Sequence, residues 1–447
     1  MYFISTDQTR QGRVSFEHTL RFPIPSPGHL WIPESIPSCT FPSKENKLIE
    51  FIDCVMQVYA SGIWKKEMLD HFEMPLHLVE KTFRERTMYE LELFHGPTEA
   101  FKDVGCFVAA QMYKEMFDAK EYRVVVATSG DTGGAVAHAF SKTDGLPVTI
   151  FYPKKRISPY QERQIVDVDD PYRRILPVAV DGDFDRCQKI VKEILMNHPN
   201  TISSNSISLV RLLPQIAYHA WCAAQFEVPI TLIVPSGNMG NACSAIMAKQ
   251  MGANIKLIHI ACNENDSVAR YINHQDDEYT PKQTVQTLAT AMDVGKPSNW
   301  IRLTHLVDLR TCDYITSSRT DTNNIRMVKE DMQCCPHTAV GYHASIFVYE
   351  EPIVVLSTAS RKKFIDGSPR NPLHICQMVQ PTKLHCPSYS TIWILGLDGT
   401  NNIFPQWEEG MDIKNARGCF KIPCNLLENV KLIEECQKQG LMIYICK

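Results

Sequence analysis

Lys102 stands near the end of HGPTEAFKD, just before the apolar helix-like run CFVAAQMYKEMF that starts at Cys106. A cation at this position runs against the positive end of a helix dipole. Two readings follow. Lys102 is either an ordinary solvated lysine or an amine whose pKa is lowered by its setting, so that it can attack or condense with a carbonyl.

Three further stretches carry groups suited to anions. ATSGDTGGAVA presents Ser129, Gly130, Asp131 and Thr132 where a strand-like run gives way to a helix. Free N–H groups there would take a carboxylate or phosphate; the plain alternative is a capping turn. VPSGNMGN contributes Gly237, Asn238, Met239, Gly240 and Asn241. Its spacing is neither GxGxxG nor a Walker A loop, and it suits a terminal phosphate or simply a tight turn. SSNSISLVRLLPQ offers Asn205, Ser206, Ser208 and Arg211, hydroxyls and a guanidinium fit for phosphate or for a capped helix with a solvated arginine. A reactive amine with separate anion loops is also what pyridoxal 5'-phosphate (PLP) requires.

The elements that must position these residues alternate. YRVVVAT, PVTIFYP, RILPVAV, ITLIVPS, IKLIHIA and EPIVVLST are apolar runs of strand length, most followed by helical patterns. This predicts an α/β fold with a parallel sheet covered on both faces and ligands at the carboxyl ends of its strands. Residues 1–85 read as a helical N-terminal segment, with Leu48, Phe51, Ile52, Val55 and Tyr59 on one helical face. Residues 303–335 read as a connection with one helix, and 365–447 as a Cys-rich tail of weak pattern.

The 447 residues are 44% apolar and carry a net charge of −4, which gives no electrostatic reason to expect nucleic acid or an anionic membrane. No apolar run suits a signal peptide or a bilayer span, so the 16 cysteines are expected to be mostly reduced thiols of a cytoplasmic protein. His374, Cys376, His385 and Cys386 lack a recognised zinc spacing, and no metal is expected.

Taken together, HGPTEAFKD, VATSGDTGGAVA, YPKKRISPYQERQ, DGDFDRCQ, NSISLVRLLPQ, VPSGNMGN, NENDSV, TLATAMDVGKPSNW, PHTAVGY and LSTASRKKF resemble, in the same order, the blocks of the threonine synthase family of bacterial and fungal type. The resemblance spans about residues 3–364. It implies a fold-type II PLP enzyme like tryptophan synthase β, with two α/β lobes in residues 86–364. Lys102 would bind the PLP aldehyde. Gly237, Asn238, Met239, Gly240 and Asn241 would cradle its phosphate, and Thr358 would face its pyridine nitrogen. Ser129, Gly130, Asp131 and Thr132 would take the substrate carboxylate. Asn205, Ser206 and Arg211, with Lys154, would take the substrate phosphate. The implied reaction converts O-phospho-L-homoserine and water to L-threonine and phosphate, in a monomer or homodimer. A phospho-lyase for a related phosphorylated amino acid, or a PLP-binding protein without turnover, are the alternatives. Four departures bear on this. Glu99 replaces an apolar residue, and an acid near Lys102 would raise its pKa. Ser208 and Val210 replace Asn and a small residue, and Ser360-Arg361 replace His-Pro. Residues 365–447 show no match.

Overall fold

The computed structural model describes residues 1–7, 12–143, 145–170 and 174–365, and beyond them only the backbone of five strands. In the N-terminal segment, β1 (Phe3–Ser5) pairs antiparallel with β2 (Trp31–Pro33). The helix Leu48–Ala60 follows, and its expected apolar face is buried. The segment also holds β3 (His77–Phe83), which forms a hairpin with β4 (Arg86–Glu92). The sequence hid this hairpin. Its turn is Arg84-Glu85, both left-handed at φ 50° and 64°, with no Asn-Gly or Asp-Gly to mark it.

Five further strands fall where the apolar runs predict, β5 (Arg123–Ala127), β6 (Val148–Pro153), β7 (Ile175–Val180), β9 (Ile230–Pro235) and β10 (Ile255–Cys262), and the short β8 (Thr201–Ser203), which no apolar run marks, comes between β7 and β9. After them come β11 (Ile315–Arg319) and β12 (Ile353–Ser357). They form two sheets rather than one. The first has the order β11-β10-β9-β12-β4-β3 and is parallel except for edge strand β3. The second is built on the parallel set β7-β6-β5-β8. It is extended beyond β7 by the backbone of β13 (Ile375–Met378), β14 (Thr391–Leu395), β15 (Ile403–Gln406), β16 (Cys419–Ile422) and β17 (Met442–Cys446). The side chains of His374, Cys376, His385 and Cys386 lie outside the described residues.

The anion loops therefore sit on different sheets. SGDTG and the 203–211 stretch follow β5 and β8, whereas SGNMGN follows β9. Residues 303–335 are also richer than expected. They hold the end of the helix Trp300–Leu306, then β11, then the helix Thr322–Asp331. The short ITSSR strand carries little apolar signal because it is an edge strand. Among the described residues, no helix is long and apolar enough to cross a membrane.

One buried arginine ties these parts together. Arg302 donates from Nε to the Trp31 carbonyl (2.8 Å) and from Nη1 to Ser206 O and Asn299 Oδ1 (2.7 Å each). Its Nη2 donates to Ile207 O (2.5 Å). The guanidinium is 1% exposed, so no water replaces these bonds if it is lost. Arg302→Met strands three carbonyls and an amide oxygen. We expect unfolding stability to fall by about 3 kcal/mol or more in urea titration, since each stranded acceptor costs about 1–3 kcal/mol. A loss below about 1 kcal/mol would remove this tie from the account.

Candidate active site

Lys102 is the first residue of the helix Lys102–Met116, which has no side-chain cap. The preceding turn is fixed from both sides. Asp103 accepts the Thr98 N–H (2.9 Å) and the Thr98 hydroxyl. A Cβ on Gly96 would come within 2.5 Å of that carboxylate, which explains the glycine of HGPT. Burial raises the Asp103 carboxyl to about 6, against the opposing pull of its Thr98 bonds. On the other side, Phe101 N donates to Thr358 O (3.0 Å), Ala100 bridges Ala359, and Ser360 N donates to Glu99 O (3.0 Å).

Around the amine lies a buried group of charges. Lys102 Nζ is 3.6 Å from Asp131 Oδ2, and Lys363 Nζ is 2.8 Å from Asp131 Oδ1. Gln161 Nε2 donates to the same Oδ1 (2.9 Å), and Lys363 also donates to Thr98 O (2.8 Å). Burial would raise the Asp131 carboxyl, but Lys363, Lys102 and His337 outweigh it and hold it far below the usual carboxylate range. Burial pushes the Lys102 ammonium below its ordinary value; Asp131 opposes this, while Lys363 and Arg211 reinforce it. His337 faces the same space. Its Nε2 accepts the Ala291 N–H (3.0 Å), which leaves the proton on Nδ1. Burial pushes this imidazole down to about 4, so it is neutral at pH 7.

Across the cavity, Met239 adopts a left-handed conformation (φ 60°) and opens the helix Gly240–Gln250. Strain of this kind in a non-glycine residue collects at ligand sites. It frees the first-turn N–H groups, and no side chain caps them. Gly237 is required because a Cβ would meet Met292 Cα at 2.7 Å. Ser236 Oγ and Asn241 Nδ2 are buried here without a partner. Asn241 Oδ1 takes the Tyr218 hydroxyl (2.7 Å), which orients its free amide group. Asn238 is held differently. It donates to Ser206 Oγ (3.2 Å) and accepts from Ser298 N (2.5 Å).

The cavity is lined by Lys102, Ser129, Asp131, Thr132, Asn205, Ser206, Arg211, Gly237 to Asn241 and Thr358. Gly130 and Lys154 are not among its lining residues. Gly130, at φ 131°, lets Gln161 pack against it and reach Asp131. Lys154 is half-buried beyond β6. Asn205 lines the cavity, but its amide is engaged at both ends with the Ala127 backbone (2.9 and 2.6 Å). Arg211 donates to Ser204 O (2.9 Å) and Lys102 O (3.0 Å), so part of its fork serves to hold the lysine loop.

The sequence departures resolve by position. The Glu99 carboxylate lies against the Tyr160 hydroxyl, and the charges acting on Lys102 do not include it. Ser208 pairs with Tyr113 (3.0 Å) and Val210 is fully buried, neither of them lining the cavity. Ser360 caps the turn Arg361–Phe364 and accepts from Lys362 N (3.3 Å). Arg361 swings out to Glu330 (3.6 Å), while Lys363 turns in. Lys363, His337, Ser236, Gln161 and Arg302 escaped sequence reading. Only a place inside recognisable blocks could have drawn attention to the first four, and Arg302 lies outside every such block.

The family profile described as "Pyridoxal-phosphate dependent enzyme" matches residues 73–351. Threonine synthase of Haemophilus influenzae is 34% identical over 385 residues, which are 80% of this chain and 88% of that protein. This chain belongs to the threonine synthase family. The crystal structure of threonine synthase from Escherichia coli has a TM-score of 0.72 at 30% identity, covering 81% of this chain and 89% of that one. A PLP-bound threonine synthase from Brucella melitensis has a TM-score of 0.69 at 26% identity, covering 81% and 89%. Members of this family depend on PLP, and the residues present fit it. Unpartnered Asn241 Nδ2 and Ser236 Oγ beside uncapped N–H groups suit its phosphate, and a buried amine suits its aldehyde.

The charge group gives a prediction of definite sign. Lys363 lowers the Lys102 pKa, so Lys363→Met should raise it. The rate at which cofactor-free protein takes up PLP needs the unprotonated amine. Its rise with pH should therefore move to higher pH in the variant, as followed by stopped-flow absorbance. An unmoved profile would show that Lys363 does not act on the amine.

Proposed function

We infer that this chain converts O-phospho-L-homoserine and water to L-threonine and phosphate. The observation that carries the reading is a largely enclosed amine at a helix start, facing an anion loop where Asn241 Nδ2 and Ser236 Oγ have no protein partner. Lys102 would hold PLP through its aldehyde, Asn241, Ser236 and the N–H groups of residues 239–241 would hold its phosphate, and Thr358 would stand at its pyridine nitrogen. When bound, PLP supplies an electron sink for charge developing on the amino acid's carbons.

The protein does the rest by position. Ser129 and Thr132, at the head of the helix Asp131–Ser141, receive the substrate carboxylate. Ser206 and the remaining donors of Arg211 receive the substrate phosphate. Burial and the neighbouring cations push the Lys102 pKa down, which eases loss of its proton once it is displaced. Its amine takes the Cα proton and then a Cβ proton as phosphate departs from Cγ, protons return to Cγ and Cα, and water adds its hydroxyl at Cβ. The positive balance around Asp131 favours an anionic substrate throughout. Ser208 and Val210 face away from the cavity, which removes the motive for a different substrate. We place the enzyme in the cytoplasm, where the ten free cysteines of the described residues would stay reduced, as a monomer or homodimer.

Purified protein supplied with PLP should release phosphate from O-phospho-L-homoserine with equal formation of L-threonine. Lys102→Ala should lower turnover by about 10²–10⁴-fold, the usual worth of a positioned acid–base group. It should also abolish borohydride fixation of PLP to the chain. Faster phosphate release from another phosphorylated amino acid, or normal turnover by the variant, would overturn the reading.

A further inference from the structure

A second group of ligating side chains lies outside the cavity, on the hairpin that the sequence hid. His77 and Glu92 are directly opposed across the antiparallel register of β3 and β4. His95 follows Glu92 by three residues and turns back onto it. His95 Nε2 is 2.7 Å and His77 Nδ1 is 3.6 Å from the same oxygen, Glu92 Oε2. The imidazole centroids are 4.1 Å apart, and the candidate ligand atoms all lie within 4.8 Å of one another. Tetrahedral zinc with bonds of about 2.0–2.2 Å separates its ligand atoms by about 3.2–3.6 Å. The His77–Glu92 distance already matches this. The His95–Glu92 hydrogen bond would open by roughly half an ångström.

We propose that His77, Glu92 and His95 form a binding site for a divalent transition-metal ion, with zinc the best match to two imidazoles and a carboxylate. The side chain of His77 is 52% exposed, so the fourth position opens to water and an entry path exists. The spacing was invisible in the sequence because strand register, not a linear motif, brings His77 to the other two.

The site has a mechanical consequence. Glu92 is in register with Ser357 of β12, one residue before Thr358. His95 begins the HGPTEAFKD stretch that contains Lys102. An ion here would pin edge strand β3 and the head of the lysine loop to the end of β4. This inference is independent of the substrate assigned above.

The test uses untagged, PLP-loaded full-length protein freed of metal with a chelator. Titration with zinc against a chromophoric chelator should show a site that His77→Gln weakens at least tenfold. Gln keeps a polar side chain at an exposed edge position but removes the imidazole ligand. Glu92→Gln should weaken the site similarly, and zinc should raise the melting temperature of the unaltered protein only. Cobalt in place of zinc should give visible bands without thiolate charge transfer, which separates this site from the chain's cysteines. Absence of a zinc site, unchanged affinity in both variants, or a thiolate spectrum would overturn the proposal.

Discussion

The Asp131 carboxylate lies between two lysine ammonium groups in a space that water scarcely enters, and much of the catalytic centre is arranged to keep it there. Such a cluster is tolerable only if each charge has a partner, because removing one member leaves another buried and uncompensated. Four separate elements meet this condition. The helix Asp131–Ser141 presents the carboxylate, and the helix Pro159–Val166 sends Gln161 to it. The turn Arg361–Phe364 inserts Lys363, and the helix Lys102–Met116 brings the Lys102 amine. Glycine is required at 130 both by its φ of 131° and because a side chain there would collide with Gln161.

The same cluster explains how a lysine can be both cationic by nature and basic in use. With one carboxylate between two amines and Arg211 close by, the local balance is positive. That balance holds the amine's pKa down and draws anions in. His337 adds no further charge because its Nε2 accepts a backbone N–H in an apolar setting. The residue departures at 99, 208, 210 and 360–361 fall on positions that point away from this centre or build the turn beside it. Substitution there leaves the charge arrangement in place.

Much of this was legible in the sequence. SGDTG and SGNMGN stand out in combination with Lys102 at a helix start, though each loop alone could be a capping or tight turn, and the buried parallel strands announce themselves by unbroken apolar runs. What stayed hidden shares one physical cause. Lys363 sits in a run of three basic residues that looks like a solvated face, and only the turn capped by Ser360 selects which of them goes inside. β3 and β11 are edge strands with polar alternation, and the β3–β4 turn uses left-handed Arg84 and Glu85 where glycine or asparagine would have given it away. The assignment of the anion loops to two sheets instead of one depends on strand order, which local pattern does not encode.

Arg302 carries a consequence for the order in which the chain can assemble. Its contact with Trp31 joins residues 271 positions apart. Trp31 leaves the ribosome early, while the guanidinium that fastens it, and the Asn299 that braces Ser206, come out near the end of the catalytic unit. The tie at Trp31 must therefore wait through most of synthesis, as must the bracing of Ser206. Closure so long in sequence is slow. The Arg302 tie is thus a late, long-range contact of the chain.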